Sequence, residues 1–407
     1  MKLLLGGSPC THWSIAQTRN RETQPEGLGW ELFRNYLIAK EHFQPDFYLY
    51  ENNKSMAPAI RAQITAELGV EPILINSALV SAQNRQRLYW TNIPAVEQPE
   101  DMKILLRDIL ETGPPLREKE DSLLSISGRA AARRASTSPL EVLNVNPSGR
   151  GMNGAVIHTN GKSRTLTTNK GEGPKIIEPV NTCVSEQIRI KRLGGFYGQC
   201  TRWGIYDVAG KAPTLTASAG MGGGHVPMYP VRIDIMENSG EIKAQSGSRI
   251  YSIYEVKNNH ISMKGKQYPV KLADGHYMIR KLTVTECKRL QTVPEKYIFP
   301  VSDCQAYKML GNGWTVDVIA HILSYCPGIT TEPLEVLSMY DGMSCGHLAL
   351  DKLGANIIRY YATEIDKYAI KTTQTNFPDT IQLGDAFQVR EDEWWSFLSL
   401  NSPGAVD

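Results

Sequence analysis

The chain has 407 residues, 41% of them hydrophobic and 21% charged, which excludes a disordered or fibrous protein and gives room for two or three globular domains. Its 44 Lys and Arg nearly cancel 42 Asp and Glu, which excludes an overall polybasic protein. The balance is uneven, however: residues 117–281 carry 24 basic and 13 acidic side chains, and the remainder 20 and 29. A basic segment inside an acidic chain is a candidate face for anions or nucleic acid.

The opening Leu3-Leu4-Leu5 run is far shorter than the ~7–15 apolar residues of a signal peptide or the ~18 of a membrane span. No longer run follows, so the sequence reads as that of a cytoplasmic protein. Those leucines predict a short strand stopped by Gly6-Gly7. The spacing of Trp30, Phe33, Leu37 and Ile38 predicts a helix over 29–43. A buried strand over 46–50 ends in Glu51-Asn52-Asn53, and a helix over 57–68 is closed by Gly69. Strands over 73–80 and 88–91 follow. Alternating strand and helix predicts a parallel sheet covered on both faces.

From about residue 113 the texture becomes rich in Gly, Ser, Thr, Asn, Pro and basic residues, with short β-like runs. A Lys-x-x-Thr-Leu-Thr pattern occurs at 162–167 and again at 211–216, each copy trailed by glycines, and predicts two similar hairpins. Helices return at 283–290 and 316–323, and 327–333 reads as a linker. A second β-α-β-α-β run follows: strand 334–340, helix 348–353, strand 357–364, helix 368–376, strand 380–383. The seven cysteines are scattered without a C-x-x-C pair, which argues against a zinc ribbon, a disulfide framework or any metal site.

Four clusters carry chemistry. Gly6-Gly7-Ser8-Pro9-Cys10 lifts a thiol to the carboxyl end of a strand, where ligands bind in open α/β sheets. Cys10 there is either a nucleophile or an inert thiol. Glu51 ends what would be the neighbouring strand and offers a proton-transfer group, unless the segment caps the next helix. Gln83-Asn84-Arg85-Gln86-Arg87 sets two arginines on one face of an extended segment, suiting an anionic or carbonyl partner or a surface salt-bridge ladder. Tyr340-Asp341-Gly342-Met343-Ser344-Cys345-Gly346 is a tight strand-to-helix turn. Glu364, with Ile365 beside it, ends the next strand about 20 residues on, where an acid meets ribose hydroxyls. Gly384-Asp385-Ala386 ends a third strand and would meet an adenine. The full G-x-G-x-x-G of a phosphate loop is missing, which fits an adenosyl cofactor without phosphates.

These residues resemble the DNA (cytosine-5)-methyltransferase family. Gly7-Ser8-Pro9-Cys10 resembles its Pro-Cys motif, Glu51-Asn52-Asn53 its Glu-Asn-Val motif, and residues 83–87 its Gln-x-Arg-x-Arg motif. Residues 280–291 resemble the late arginine-leucine-threonine motif, and Gly311-Asn312-Gly313-Trp314-Thr315-Val316 the Gly-Asn-x-x-x-Val motif. Residues 340–346, Glu364 and Gly384-Asp385 resemble the three cofactor motifs. Asn53 replaces the usual Val, Thr11 the common Gln, and Ser344-Cys345-Gly346 shifts the glycines as in the vertebrate de novo enzymes and their bacterial relatives.

The motif order is unusual, with Pro-Cys first and the cofactor motifs last. The resemblance therefore implies a circularly permuted, Rossmann-like S-adenosylmethionine-dependent α/β methyltransferase with an inserted β-rich target-recognition domain. Its parts would be 1–114, carrying the nucleophile; 115–280, reading DNA; 281–331, returning to the catalytic unit; and 332–407, binding cofactor.

By the same resemblance Cys10, Glu51, Arg85 and Arg87 are catalytic. Pro9, Asn312, Trp314, Tyr340, Asp341, Gly342, Met343, Ser344, Glu364, Ile365, Asp385 and Ala386 bind S-adenosylmethionine. Ser14, Arg19, Arg21, Arg164, Arg192 and Arg202 contact DNA, with residues 11–29 as a closing loop. The expected partner is double-stranded DNA bound by a monomer, with a cognate restriction endonuclease in the same system. An RNA cytosine substrate and a non-catalytic DNA-binding paralogue are the alternatives.

Overall fold

The computed structural model describes residues 1–9, 12–14, 21–111, 141–144, 155–157, 190–196, 204–216, 226–233, 243–246, 249–263 and 265–401. Seven strands form one sheet: β1 (Lys2–Gly6), β2 (Phe47–Asn53), β3 (Ile73–Asn76), β4 (Gln86–Thr91) and, far along the chain, β15 (Leu334–Met339), β16 (Ile357–Thr363) and β17 (Ile381–Gln382). Their order is β17-β16-β15-β1-β2-β4-β3, so the first strand of the chain lies at the centre beside one that comes more than 300 residues later. Leu3, Leu4 and Leu5 are fully buried, as expected of a central strand covered on both faces. The alternation of side chains divides the sheet's two cores: Leu3, Leu5, Leu49 and Val336 pack on one face, Leu4, Tyr48, Tyr50 and Leu337 on the other.

The helices follow from short-range chemistry. In α1 (Gly27–Phe43), Phe33, Tyr36, Ala39 and Phe43 form the buried stripe. In α2 (Pro58–Leu68), Pro58 opens the helix, Ile60, Ile64 and Leu68 recur every four residues, and Gly69 closes it at φ 70°. A short α3 (Leu106–Ile109) ends the first part of the chain. Later come α4 (Val284–Leu290), α5 (Asp303–Asn312), α6 (Val316–Ser324), α7 (Cys345–Leu353), α8 (Lys367–Asn376) and α9 (Asp392–Asn401). In α4, Thr283 and Glu286 make a reciprocal capping box. Among the described residues no helix is long and apolar enough to cross a membrane.

Between the two halves of that sheet, β5 (Glu141–Asn144) and β6 (Ala155–Ile157) make a two-stranded pair. A second sheet takes β7 (Arg192–Gly195), β8 (Gly204–Tyr206), β9 (Met228–Ile233), β10 (Lys243–Ser246), β11 (Arg249–Lys257), β12 (His260–Met263), β13 (Lys266–Pro269) and β14 (Gly275–Lys281). Its path is β13-β12-β11-β14-β9-β8-β7, with β10 on β11. The two ends of that path meet: Gly194 bridges Val270, and the Lys271 amide donates to the Leu193 carbonyl at 2.9 Å. A Cβ at Gly194 would stand 2.6 Å from a Val270 methyl, so only glycine allows this closure. The core of this sheet (Leu193, Ile205, Val256, Ile279) is continuous with one face of the first.

Several expectations are corrected. The first sheet is mixed, because β4 runs antiparallel to both β2 and β3. The strand expected over 73–80 stops at Asn76. The Asn76 side chain accepts from the Ala78 and Arg85 amides and turns the chain into a one-turn 3-10 helix at Ser77–Leu79. The helix expected from 348 starts at Cys345. The 211–216 copy of the repeated pattern is not a hairpin; it runs beside the connection between β3 and β4 through an isolated parallel bridge from Ala212 to Gln83. Its 162–167 counterpart is outside the described residues. Helices α5 and α9 had no sequence-based counterpart.

Candidate active site

Strand register builds the site. Gly6 stands opposite Tyr50 on one side and Met339 on the other, and Met339 stands opposite Thr363. The next residues in each strand's path therefore emerge in a row at one edge: the Gly7–Pro9 turn, Glu51, Tyr340 and Glu364. This is the carboxyl edge of parallel strands, where open α/β sheets bind their ligands.

The turn before Cys10 is held from below. Ser8 Oγ and Tyr50 OH are 2.6 Å apart, and the fully buried Asn52 amide donates to the Ser8 carbonyl at 3.1 Å and lies within 3.4 Å of Ser8 Oγ. Asn52 thus serves the turn rather than capping α2, whose N-cap is Ala57. Pro9 is exposed; Cys10 lies outside the described residues.

Glu51, 8% exposed, is fixed at both oxygens. Its Oε1 is 2.9 Å from Arg87 Nε, and its Oε2 accepts from Trp314 Nε1 at 3.0 Å. A Cβ on Gly7 would approach Glu51 Oε2 to 3.1 Å and the Trp314 ring to 3.2 Å, so the Gly7 turn lies directly against the carboxylate. Arg87 faces Asn53 across the β2–β4 pair, which aims it at the end of β2. Arg85 is committed otherwise. Its buried guanidinium donates to the carbonyls of Leu215 at 3.0 Å, Gly311 at 3.2 Å and Gly313 at 2.9 Å.

The cofactor turn has three residues at positive φ, Tyr340, Gly342 and Ser344, each near 60°. Asp341 accepts from Ser344 Oγ at 2.6 Å and from Tyr360 OH at 2.9 Å. Burial pushes its carboxyl up to about 6, against the lowering effect of those donors. Glu364 accepts from the Gly342, Ile365 and Asp366 amides, all at 2.8 Å. A carboxylate has about four acceptor sites, so one is left for a ligand hydroxyl. Ile365 beside it is 73% exposed, an apolar surface at the mouth of the site. Asp385 is exposed and accepts from the Phe387 amide, Ala386 and Met343 are buried, and Asn312 is exposed at the end of α5. Three carboxylates, Asp341, Glu364 and Asp385, line this end of the site and suit a nucleoside bearing positive charge.

Of the residues expected on DNA, Ser14 is buried and Arg192 is half-buried on β7. Arg21 turns inward, donating to the Trp13 and Ser55 carbonyls at 3.2 and 2.6 Å. Arg19, Arg164 and Arg202 lie outside the described residues. Two groups escaped sequence reasoning. Glu22 ties the stem of the 11–29 loop by accepting from Trp13 Nε1 at 2.9 Å and the Gly29 amide at 3.1 Å. Tyr297 OH donates to the Met343 carbonyl at 2.6 Å, bracing the cofactor turn from behind. Neither leaves a local signal, although the buried Trp13 just past the Pro-Cys turn was a hint. No group of three or more His, Cys, Asp or Glu that could hold a metal is found among the described residues.

The family model described as C-5 cytosine-specific DNA methylase matches residues 1–327. The chain is 28% identical over 384 residues to the orphan methyltransferase M.SPRI of Bacillus phage SPR, covering 79% of this chain and 81% of that protein. It is 54% identical over 43 residues to the type II methyltransferase M.DsaV of Dactylococcopsis salina, 11% of this chain and 12% of that one. The crystal structure of S. pombe Dnmt2 methyltransferase covers 79% of this chain and 76% of its own at 13% identity and a TM-score of 0.35, a likeness too distant for residue-by-residue comparison.

Proposed function

Since the chain belongs to the C-5 cytosine-specific DNA methylase family, we propose that it transfers the methyl group of S-adenosylmethionine to C5 of cytosine in a specific duplex DNA sequence. The observation that carries this reading is the single edge at which the Gly7–Pro9 turn, the Glu51–Arg87–Trp314 cluster and the Asp341–Glu364 cofactor turn emerge side by side.

Cytosine C5 is a weak nucleophile. The Cys10 thiolate adds to C6, forming an S–C6 bond and moving the π electrons toward C5 and N3. Glu51, aimed by Arg87 and Trp314, binds N3 and the exocyclic amine and shares a proton with N3. Arg87 also reaches the cytosine O2. S-adenosylmethionine, when bound at the cofactor turn, would supply an electrophilic methyl to C5 and keep the electron pair of the S–CH3 bond on its sulfur. A base removes the C5 proton, and elimination breaks S–C6 and restores the thiolate. Glu364 and Asp341 would hold the nucleoside and the cationic end of the methyl donor. The target must be flipped out of the duplex, at a cost of a few kcal/mol.

The net positive charge of residues 115–280 suits phosphate contacts, with base reading by a few side chains. We read the strand order, with β1 between β15 and β2, as a circular permutation, so that 332–407 and 1–114 together make the catalytic sheet. We further infer a cytoplasmic monomer; a cognate endonuclease is an open partner, since M.DsaV is a type II methyltransferase and M.SPRI an orphan one. An RNA substrate is the less favoured reading, since the matched family model is described as a DNA methylase and one matched relative is a type II methyltransferase. Bisulfite sequencing of DNA from cells expressing the chain tests the reading. Protected cytosines at one recurring sequence support it; unprotected DNA from a well-expressed, folded chain contradicts it.

A further inference from the structure

The 211–216 stretch is a sequence motif that the reaction leaves unused, yet Lys211, Ala212, Thr214 and Leu215 are each bonded to the connection between β3 and β4. The Ala212 amide donates to the Ala82 carbonyl at 2.5 Å and the Asn84 amide to the Ala212 carbonyl at 3.0 Å. Thr214 Oγ1 donates to the Asn84 carbonyl at 2.7 Å. Lys211, 2% exposed, donates its ammonium to the Ala78 and Ser81 carbonyls at 2.6 and 2.9 Å. Arg85 then ties the Leu215 carbonyl to those of Gly311 and Gly313. Trp314 follows directly and donates to Glu51, whose other oxygen meets Arg87, two residues beyond Arg85.

We propose that residues 211–216 are a strap through which the basic segment sets the position of the Glu51 carboxylate, with Lys211 and Arg85 as positioning residues. The inference rests on the function proposed above. An apolar side chain at 211 would fill the same space without desolvating a charge. The ammonium instead fixes two carbonyls of the turn that leads into β4, and so the direction in which Arg85 and Arg87 enter the site. Arg85 is the junction: its N–H donors lie on separate nitrogens of one rigid plane and reach carbonyls on two segments, Leu215 on one side and Gly311 and Gly313 on the other, whereas a lysine would gather all its donors at a single atom. DNA bound by the basic segment would act on the catalytic acid through this contact without touching it.

The test is Lys211→Met in the full chain, alone and with Trp314→Phe, on duplex DNA that the parent chain methylates. Single-turnover methyl transfer is expected to slow at least ~10-fold while the affinities for S-adenosylmethionine and DNA stay within ~3-fold, a loss confined to the transition state. In the Trp314→Phe background the same substitution is expected to cost less than ~3-fold, because the relay is already cut. An unchanged rate, a parallel loss of rate and both affinities, or fully multiplicative effects would each overturn the strap. Hydrogen exchange reads the coupling without activity. Lys211→Met is expected to raise exchange over 83–87 and 311–315 while 334–339 stays protected, and no change there overturns the strap. A parent chain that methylates nothing but gives this exchange pattern would sink the proposed function and leave the strap standing.

Discussion

Trp314→Phe separates two roles for one residue. The resemblance places Trp314 on the cofactor, whereas the structure puts its indole N–H 3.0 Å from Glu51 Oε2. Phenylalanine keeps an aromatic ring at this position and removes the donor together with part of the indole surface that meets the Gly7 turn. A hydrogen bond to a charged group contributes about 1.5–3 kcal/mol. At about 1.4 kcal/mol per factor of ten, its loss from the transition state slows methyl transfer ~10- to 150-fold. Arg87 still holds the other oxygen at 2.9 Å, so the carboxylate keeps one partner and the lower half of that range is expected. The assay is single-turnover transfer of tritiated methyl to duplex DNA, with S-adenosylmethionine affinity measured by calorimetry. A rate kept within ~3-fold, or a loss that falls on affinity with the rate intact, would refute the assignment of this bond to Glu51 chemistry.

Three further outcomes follow from the geometry. Asn52→Ala removes the donor under Ser8 and is expected to lower stability by about 1–3 kcal/mol, seen in urea unfolding, and to slow methyl transfer; unaltered values of both would show that the turn does not depend on it. Glu364→Gln replaces a three-amide acceptor and is expected to weaken S-adenosylmethionine at least ~10-fold with DNA binding unchanged; equal affinities in calorimetry would remove Glu364 from the cofactor site. His347, stacked between Tyr360 and Phe377, is held by burial at about 4, below the ordinary 6.5. The unfolded chain therefore takes up a proton that the folded chain refuses, so stability is full above pH 6.5 and falls toward pH 4, by about 1–3 kcal/mol. Asp341, raised to about 6, works in the opposite sense below that pH, so the comparison is with His347→Phe. The melting temperatures of the two chains should diverge below pH 6.5; parallel curves would contradict the account.

The elements that bear the site were readable because each is an apolar run stopped by turn residues: Leu3–Leu5 before Gly6-Gly7, the strand before Glu51, the strand before Tyr340, and the strand before Glu364. Strand direction was not readable. A fully buried run carries no mark of whether its neighbour is parallel, so β4 was expected to run with the rest. Contacts between distant residues left no local trace either. Trp314 and Glu51 are 263 positions apart and Arg85 and Gly313 are 228 apart, and both arginines of the 83–87 segment looked equivalent until their acceptors were known. Asn52 illustrates the opposite error, since a helix-cap reading of Asn before a helix is sound locally and loses here to a tertiary partner, Ser8.

The central claim is covalent catalysis by Cys10 at a cytosine held by Glu51. Duplex DNA in which the target cytosine is replaced by 5-fluorocytosine blocks loss of the C5 substituent and should arrest the reaction at the adduct. Intact-mass and peptide spectra of the mixture with S-adenosylmethionine are predicted to show the chain joined through Cys10 to a methylated base, and no adduct with Cys10→Ser, which should still bind S-adenosylmethionine. An adduct at another residue, or methylation of cytosine C5 by Cys10→Ser, would contradict the account.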